Sequence, residues 1–323
     1  MLANALRLSL VLEVALYATL AITVGEKSPL AAVLLAVLIM LALRALLIAV
    51  TYAYAWVYRS PSARLSVGQA LLMVLGEYAA FLVTFLVILP FERRWMGDDR
   101  LSPLVAPERR AKAEGSRPPI LLIHGYGCSR GAWWWLRPRL EAAGWTVATI
   151  SLEPIYGSID NYVAPLARRI DEVLSETGAD KLILVGHSMG GLVARAYLQS
   201  HGEVRVARLV TLGTPHQGSE LARIGFGANA RQMRPHSAWL QALGRPQPAL
   251  AALAIYSPQD NFVMPPSLLE LAGAENRTID GLGHLAMLYS PRLALILLTA
   301  LEQRTGGGEC AFAGADSEAA ADA

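Results

Sequence analysis

The sequence predicts an α/β protein, a mostly parallel sheet with helices on both faces, preceded by a three-helix transmembrane bundle. Three observations predict it. Residues 1–90 are almost all apolar and fall into three runs. Composition turns ordinary and mixed beyond residue 100. Short β-type runs there alternate with helical patterns. The split carries more information than the average, since 54% hydrophobic and 17% charged residues over 323 positions describes neither part.

The apolar runs cover residues 8–24, 30–57 and 67–89. An α-helix needs roughly 20 residues to cross the hydrocarbon of a bilayer, and each run is about that long or longer. Gly25-Glu26-Lys27-Ser28-Pro29 and Arg59-Ser60-Pro61-Ser62-Ala63-Arg64 connect them. Tyr52, Tyr54, Trp56, Tyr58 and Trp95 suit a membrane–water interface. Arg7 precedes the first run as it would in a signal peptide. Two further runs follow, however, and no convincing small-residue cleavage site is present. A multi-pass membrane region over residues 1–92 is therefore expected, in the inner membrane if the source is bacterial. Arg7, Arg59 and Arg64 on one face nearly balance Lys27, Arg93, Arg94 and Arg100 on the other, with a slight tilt toward a cytoplasmic C-terminal domain.

Glu13, Arg44 and Glu77 interrupt the runs. At about 1.5 Å rise per residue and with antiparallel neighbours, all three fall at similar depth. An interhelical charge cluster of the three is expected, because pairing reduces the cost of a charge inside the membrane.

Residues 93–118 turn to Asp, Arg, Pro, Ser and Glu without apolar periodicity and read as a linker. The α/β domain follows over residues 119–304. Strands are expected at 120–123, 146–151, 181–185, 207–212, 251–256 and 275–279, with helices at 132–143, 162–176 and 190–200, and another around Glu270. Gly144 and Gly178 close two of these helices. The tail at 305–323, rich in Gly, Ala, Asp and Glu, is expected to be disordered. A net charge of +2 without a long basic run excludes nucleic acid as the expected partner. Cys128 and Cys310 form neither a disulfide framework nor a metal-ligand cluster.

The chemistry centres on Gly186-His187-Ser188-Met189-Gly190, set between a buried-type strand and a helix. Its glycines permit the sharp strand-to-helix turn that lifts a serine hydroxyl above the sheet. A serine needs a base, and the base needs a carboxylate to orient it. In proteins with this turn the partners follow in chain order serine, acid, histidine. Only His284, in Asp280-Gly281-Leu282-Gly283-His284, follows the last strand; His201, His216 and His236 precede it. Asp260, in the loop after the strand at 251–256, leads as the acid, with Asp280 as the fallback and Glu270 expected inside a helix. The oxyanion donors are expected to be the backbone N–H groups of Met189 and Tyr126, the latter in His124-Gly125-Tyr126-Gly127. His124 reads as a loop-shaping residue and Cys128 as a space filler.

Ile123-His124-Gly125-Tyr126-Gly127, Gly186-His187-Ser188-Met189-Gly190-Gly191 and Gly213-Thr214-Pro215-His216-Gln217-Gly218-Ser219 together resemble bacterial lipases and esterases of the α/β-hydrolase superfamily. The resemblance covers roughly residues 118–303. It implies hydrolysis of carboxylic esters without a cofactor, through an acyl-enzyme, and a cap after residue 219. Residues 220–249, with Phe226, Met233, Trp239 and Leu240, fit such a cap over a lipid or acyl-ester substrate. Trp133-Trp134-Trp135 either opens a helix packed on the sheet or lines an acyl pocket. An acyltransferase or thioesterase would use the same triad, and a non-catalytic membrane interaction module would retain only the fold.

Overall fold

The computed structural model describes residues 1–58, 64–98, 117–244 and 250–302. Expectations about most of the linker, the end of the cap, Cys310 and the tail lie outside the described residues.

Helices α1 (Leu2–Thr23), α2 (Pro29–Val57) and α3 (Val67–Leu82) come first. α3 runs on through a π-helical stretch at Val83–Ile88 and a 3₁₀ turn at Leu89–Phe91 into the short α4 (Glu92–Met96). By length and composition, three helices among the described residues are long and apolar enough to cross a membrane, the third counted over Val67–Met96. Pro29 opens α2, where its missing N–H costs nothing. α3 starts on a capping box in which Ser66 and Gln69 satisfy each other's backbone N–H. The outer faces are apolar and exposed, with Leu8, Leu12 and Leu16 on α1, Leu34, Leu38 and Leu46 on α2, and Leu71, Leu72 and Leu75 on α3.

These helices meet the α/β domain at a limited set of residues, most of them on α3 and its continuation. Leu2 and Leu89 are buried in the same apolar core as Trp133 and Leu293. The Thr84 and Tyr289 hydroxyls share a hydrogen bond of 2.5 Å. Glu92 accepts from Ser129 and from Arg130 Nε, the latter at 2.9 Å.

The expected three-member charge cluster is corrected to a pair and a separate carboxylate. Arg44 engages both carboxylate oxygens of Glu13, which also accepts from the Tyr17 hydroxyl at 3.1 Å. Glu77 points elsewhere. Tyr78 faces α2, donating to the Leu41 carbonyl at 3.0 Å. Its neighbour Glu77 stands about 100° further round the helix and so meets the α/β domain.

The domain is a six-stranded, wholly parallel sheet in the order β2-β1-β3-β4-β5-β6. The strands are β1 (Ile120–Ile123), β2 (Val147–Ile150), β3 (Leu182–His187), β4 (Val206–Leu212), β5 (Ala251–Tyr256) and β6 (Glu275–Thr278). α5 (Arg137–Ala142), α6 (Asp160–Thr177), α7 (Met189–His201) and α10 (Pro291–Glu302) cover the two faces. One apolar core gathers Leu121, Leu184, Leu166, Ile170 and Leu192 under α6 and α7. The other gathers Leu122, Val185, Leu140 and Leu297 under α5 and α10. The chain reverses its direction of strand addition between β1 and β3, and the crevice at their carboxyl ends is where ligands bind in such sheets.

Two expected helices differ. The helix expected at 132–143 is a 3₁₀ turn at Arg130–Trp133 followed by α5, whose first turn holds Pro138, the position at which a missing N–H breaks no helical bond. Glu270 follows a 3₁₀ turn at Pro266–Leu269, where consecutive prolines deny the chain helical donors. The cap contains a 3₁₀ turn at Glu220–Arg223, α8 (Gly227–Gln232) and α9 (Ala238–Ala242).

Candidate active site

β3 ends at His187 and α7 begins at Met189, so Ser188 alone makes the turn, at φ 54° and ψ −127°. A non-glycine residue held there stores strain, and the surroundings must over-determine it. Three glycines make that possible. A Cβ on Gly186 would lie 2.5 Å from the Gly191 nitrogen, one on Gly190 would collide with the Ile123 carbonyl, and one on Gly191 with the Thr214 hydroxyl. Ser188 N–H donates to the Leu212 carbonyl at 2.8 Å, tying the turn to β4. The side chain stands at the N-terminus of α7, where the helix dipole favours negative charge.

Asp260 lies in the loop after β5 and His284 in the loop after β6, both almost fully buried. His284 Nδ1 is 2.7 Å from Asp260 Oδ2. The other carboxylate oxygen accepts from Phe262 and Val263 N–H, each at 2.8 Å, which fixes the acid's orientation. Asp280, the fallback, leaves its carbonyl to Arg292. Burial alone would lower the His284 pKa, but the Asp260 charge and hydrogen bond, with the Glu77 charge adding, hold it above the ordinary histidine value. His284 reaches the serine turn through His187, whose Nε2 donates to the His284 carbonyl at 3.2 Å and whose ring lies 4.6 Å away. Gly213, at the end of β4, completes the junction: a Cβ there would lie 3.3 Å from Asp260 Oδ2 and 3.4 Å from His284 Nδ1.

The β1 loop closes on the other side. A Cβ on Gly125 would stand 2.8 Å from Ser188 Cβ, so this loop approaches the serine as closely as backbone can, with Tyr126 next in sequence. His124 shapes it. Nε2 accepts from Leu152 N–H and Nδ1 donates to the Gly125 carbonyl, both at 2.8 Å, while burial pushes the ring's pKa down to about 4 and keeps it neutral. The Tyr126 hydroxyl donates to the Phe226 carbonyl at 2.8 Å and accepts from Phe226 N–H at 3.0 Å, latching this loop to the cap. Met189 N–H heads α7 beside Ser188.

Two residues at the site were not assigned there from sequence. Asn261 accepts from His284 N–H at 3.1 Å and donates to the Thr51 hydroxyl of α2 at 2.9 Å. Glu77 accepts from Leu285 N–H at 3.0 Å and Ala286 N–H at 2.8 Å. The signal available for Glu77 was a carboxylate in an apolar run; for Asn261 it was adjacency to Asp260.

The remaining histidines serve elsewhere. His216 binds the Thr211 hydroxyl through Nε2 at 2.9 Å, and His201 stacks on Tyr197 at the far end of α7. His236 lies in the cap at a φ of 61°. Trp133 is buried against the sheet, 6.4 Å from the His187 ring, and Trp135 lies under the Arg139 guanidinium. Cys128 is buried, and desolvation pushes its thiol up to about 12. Among the described residues, no three His, Cys, Asp or Glu side chains gather to hold a metal ion.

Residues 118–244 match the family model described as the alpha/beta hydrolase fold. A triacylglycerol lipase of Pseudarthrobacter phenanthrenivorans is 34% identical over 115 residues, covering 33% of this chain and 36% of that protein. A triacylglycerol lipase of Pseudomonas fragi is 31% identical over 147 residues, covering 41% and 50%. The chain thus spans 36% to 50% of the length of these two curated relatives. Among solved structures, the mature Bacillus licheniformis lipase BlEst2 aligns with a TM-score of 0.53 at 19% identity, over 59% of this chain and 94% of that one, a likeness of fold. With a wholly parallel sheet, a strained serine turn after β3 and an Asp–His pair on the loops after β5 and β6, the chain carries a domain of the alpha/beta hydrolase fold that is similar to bacterial lipases and esterases.

Proposed function

We propose that this chain is a membrane-anchored serine hydrolase that cleaves carboxylic esters with acyl chains through an acyl-enzyme on Ser188. The observation that carries the reading is the buried Asp260–His284 hydrogen bond, linked to the strained Ser188 turn through the His187 hydrogen bond to the His284 carbonyl. In this reaction Ser188 Oγ attacks the ester carbonyl carbon as His284 Nε2 takes its proton. The Met189 and Tyr126 N–H groups stabilise the oxyanion, and His284 returns the proton to the leaving alcohol. Water, activated by the same imidazole, then releases the acid.

Membrane attachment is supported by the exposed apolar faces of α1, α2 and α3, a surface far larger than soluble monomers leave open. An acyl-chain substrate is supported by the cap. Phe226 is 76% and Ile224 68% exposed. Arg223, beside them, is within electrostatic reach of Tyr54 and Tyr58 at the aromatic end of α2. The cap and an interfacial belt thus adjoin, where an ester in a lipid layer would present itself.

A fluorophosphonate probe tests the mechanism: wild type is expected to label and Ser188→Ala to remain unlabelled. Equal labelling of both, or none of either, would remove the serine from the mechanism. A p-nitrophenyl ester series of increasing chain length then places the enzyme between esterase and lipase, and resistance of the protein to extraction by alkaline carbonate tests the anchor.

A further inference from the structure

We propose that Glu77 of α3 is a positioning residue for His284, so that the helical bundle completes the active site as well as tethering it. This rests on the assignment of Ser188 and His284 above and extends it to residues of the membrane region.

A carboxylate buried completely in an apolar helix is costly, and packing alone would be served better by leucine. Glu77 is compensated here by the peptide donors of the two residues that follow His284. Leu285 N–H lies 3.0 Å from both carboxylate oxygens and Ala286 N–H 2.8 Å from one. On the other side of the histidine, Gly283 is pressed against the same carboxylate. A Cβ there would collide with Glu77 and lie 2.6 Å from the Tyr52 hydroxyl of α2. That glycine is required because a carboxylate, not a void, occupies the place of a side chain.

His284's own N–H follows the same route by one more step. It donates to Asn261 Oδ1, and Asn261 Nδ2 donates to the Thr51 hydroxyl, which itself donates to the Ile48 carbonyl at 2.8 Å. The backbone N–H groups of residues 284, 285 and 286 all end, directly or through one side chain, on α2 or α3. Asp260 sets the rotation of the ring, and Glu77 with Thr51 sets where its backbone stands. Both are needed to hold Nε2 against a serine hydroxyl, since a displacement of about 1 Å costs on the order of 100-fold in rate.

The test uses the full chain in detergent, with kcat and KM on p-nitrophenyl butyrate, the fluorophosphonate labelling rate, and elution volume with Tm as controls for folding. Glu77→Ala is expected to lower kcat and labelling by about 100-fold with KM within about 2-fold of wild type. Glu77→Gln keeps a carbonyl acceptor for the same donors and is expected to recover most of that loss. Thr51→Val is expected to lower kcat in the same sense by about 3- to 10-fold. A folded Glu77→Ala that labels at the wild-type rate would overturn the proposal, as would a Gln variant no better than Ala. If Glu77→Ala does not elute as wild type, a wild-type kcat in folded Thr51→Val overturns it. Absence of labelling in wild type would bring down the hydrolase reading and this one with it, whereas equal labelling of wild type and Glu77→Ala brings down this one alone.

Discussion

His284 Nδ1 stands 2.7 Å from Asp260 Oδ2, and neither side chain is free to leave the other. The carboxylate is held from its second oxygen by Phe262 and Val263 N–H, and the Phe262 ring stacks on the imidazole at 5.2 Å. In the neutral ring a pair so constrained favours the tautomer with the proton on Nδ1 and the lone pair on Nε2.

Asp260→Asn is expected to lower kcat by on the order of 1,000- to 10,000-fold, because an amide no longer enforces that tautomer. The pH profile supplies an independent check. Asp260 and Glu77 stabilise the protonated ring against the cost of burial, so His284 keeps its proton to a pH above the ordinary histidine value. A general base works only when deprotonated, so kcat/KM is expected to rise with pH through an ionisation above about 6.5. In Asp260→Asn the largest favourable charge is gone, and the residual activity is expected to rise through a lower one. Measuring kcat/KM against pH for both proteins on a short p-nitrophenyl ester decides it; an unmoved midpoint would detach the charge from the base.

Gly190→Ala is expected to destabilise the protein by about 1–3 kcal/mol, the usual cost of overpacking. The new methyl would strike the Ile123 and His124 carbonyls, which are backbone and cannot swing aside. α7 must therefore back away from β1, and Ser188 moves with it. Chemical denaturation should show the lowered midpoint, and fluorophosphonate labelling should fall by more than the unfolded fraction accounts for.

The places of Ser188, Asp260 and His284 in the fold were legible because a parallel sheet puts every strand's end on one side, and each of the three follows a strand. Gly186 and Gly190 marked the serine turn for a steric reason that the Cβ collisions now specify, and those collisions add Gly191. The position of Glu77 was half legible. Hydropathy gives the depth of a residue in a helical bundle, and depth set it level with Glu13 and Arg44. It does not give azimuth, which depends on how α3 is rotated against two partners at once. Tyr78 turned toward α2 and Glu77 toward the loop after β6, a choice made by tertiary donors absent from the local sequence. The 3₁₀ turn in place of the first half of the helix expected at 132–143 has a more local marker, Pro138, which was present to be read.

Tyr126→Phe is expected to leave the loop after β1 in place while loosening the cap. The phenol makes two hydrogen bonds to the Phe226 backbone, and it is a partly exposed contact worth about 1 kcal/mol at most. Little change in Tm or in turnover of short esters is expected, since the Tyr126 N–H is retained. Long-chain esters should show a changed KM, and limited proteolysis should cut near residues 224–227 sooner than in wild type. A wild-type cleavage pattern would show that α8 and α9 hold the cap without this latch.

Arg44→Leu is expected to act on stability alone. Arg44 holds both oxygens of Glu13 and also reaches the Met40 carbonyl at 3.3 Å, so the pair locks α1 to α2. Removing the guanidinium leaves Glu13 with only the Tyr17 hydroxyl in an apolar layer, where an uncompensated charge costs about 3 kcal/mol. The full chain in detergent should melt several degrees lower, and Glu13→Leu combined with Arg44→Leu should restore much of the loss, because two apolar residues need no pairing. Neither residue touches the loop that carries His284, so kcat of the folded fraction should stay at the wild-type value. This pattern is the opposite of the one expected for Glu77, whose variants should lose kcat. Two carboxylates in the helical bundle, Glu13 joining α1 to α2 and Glu77 placing a histidine, are thus separable by which measurement each mutation moves.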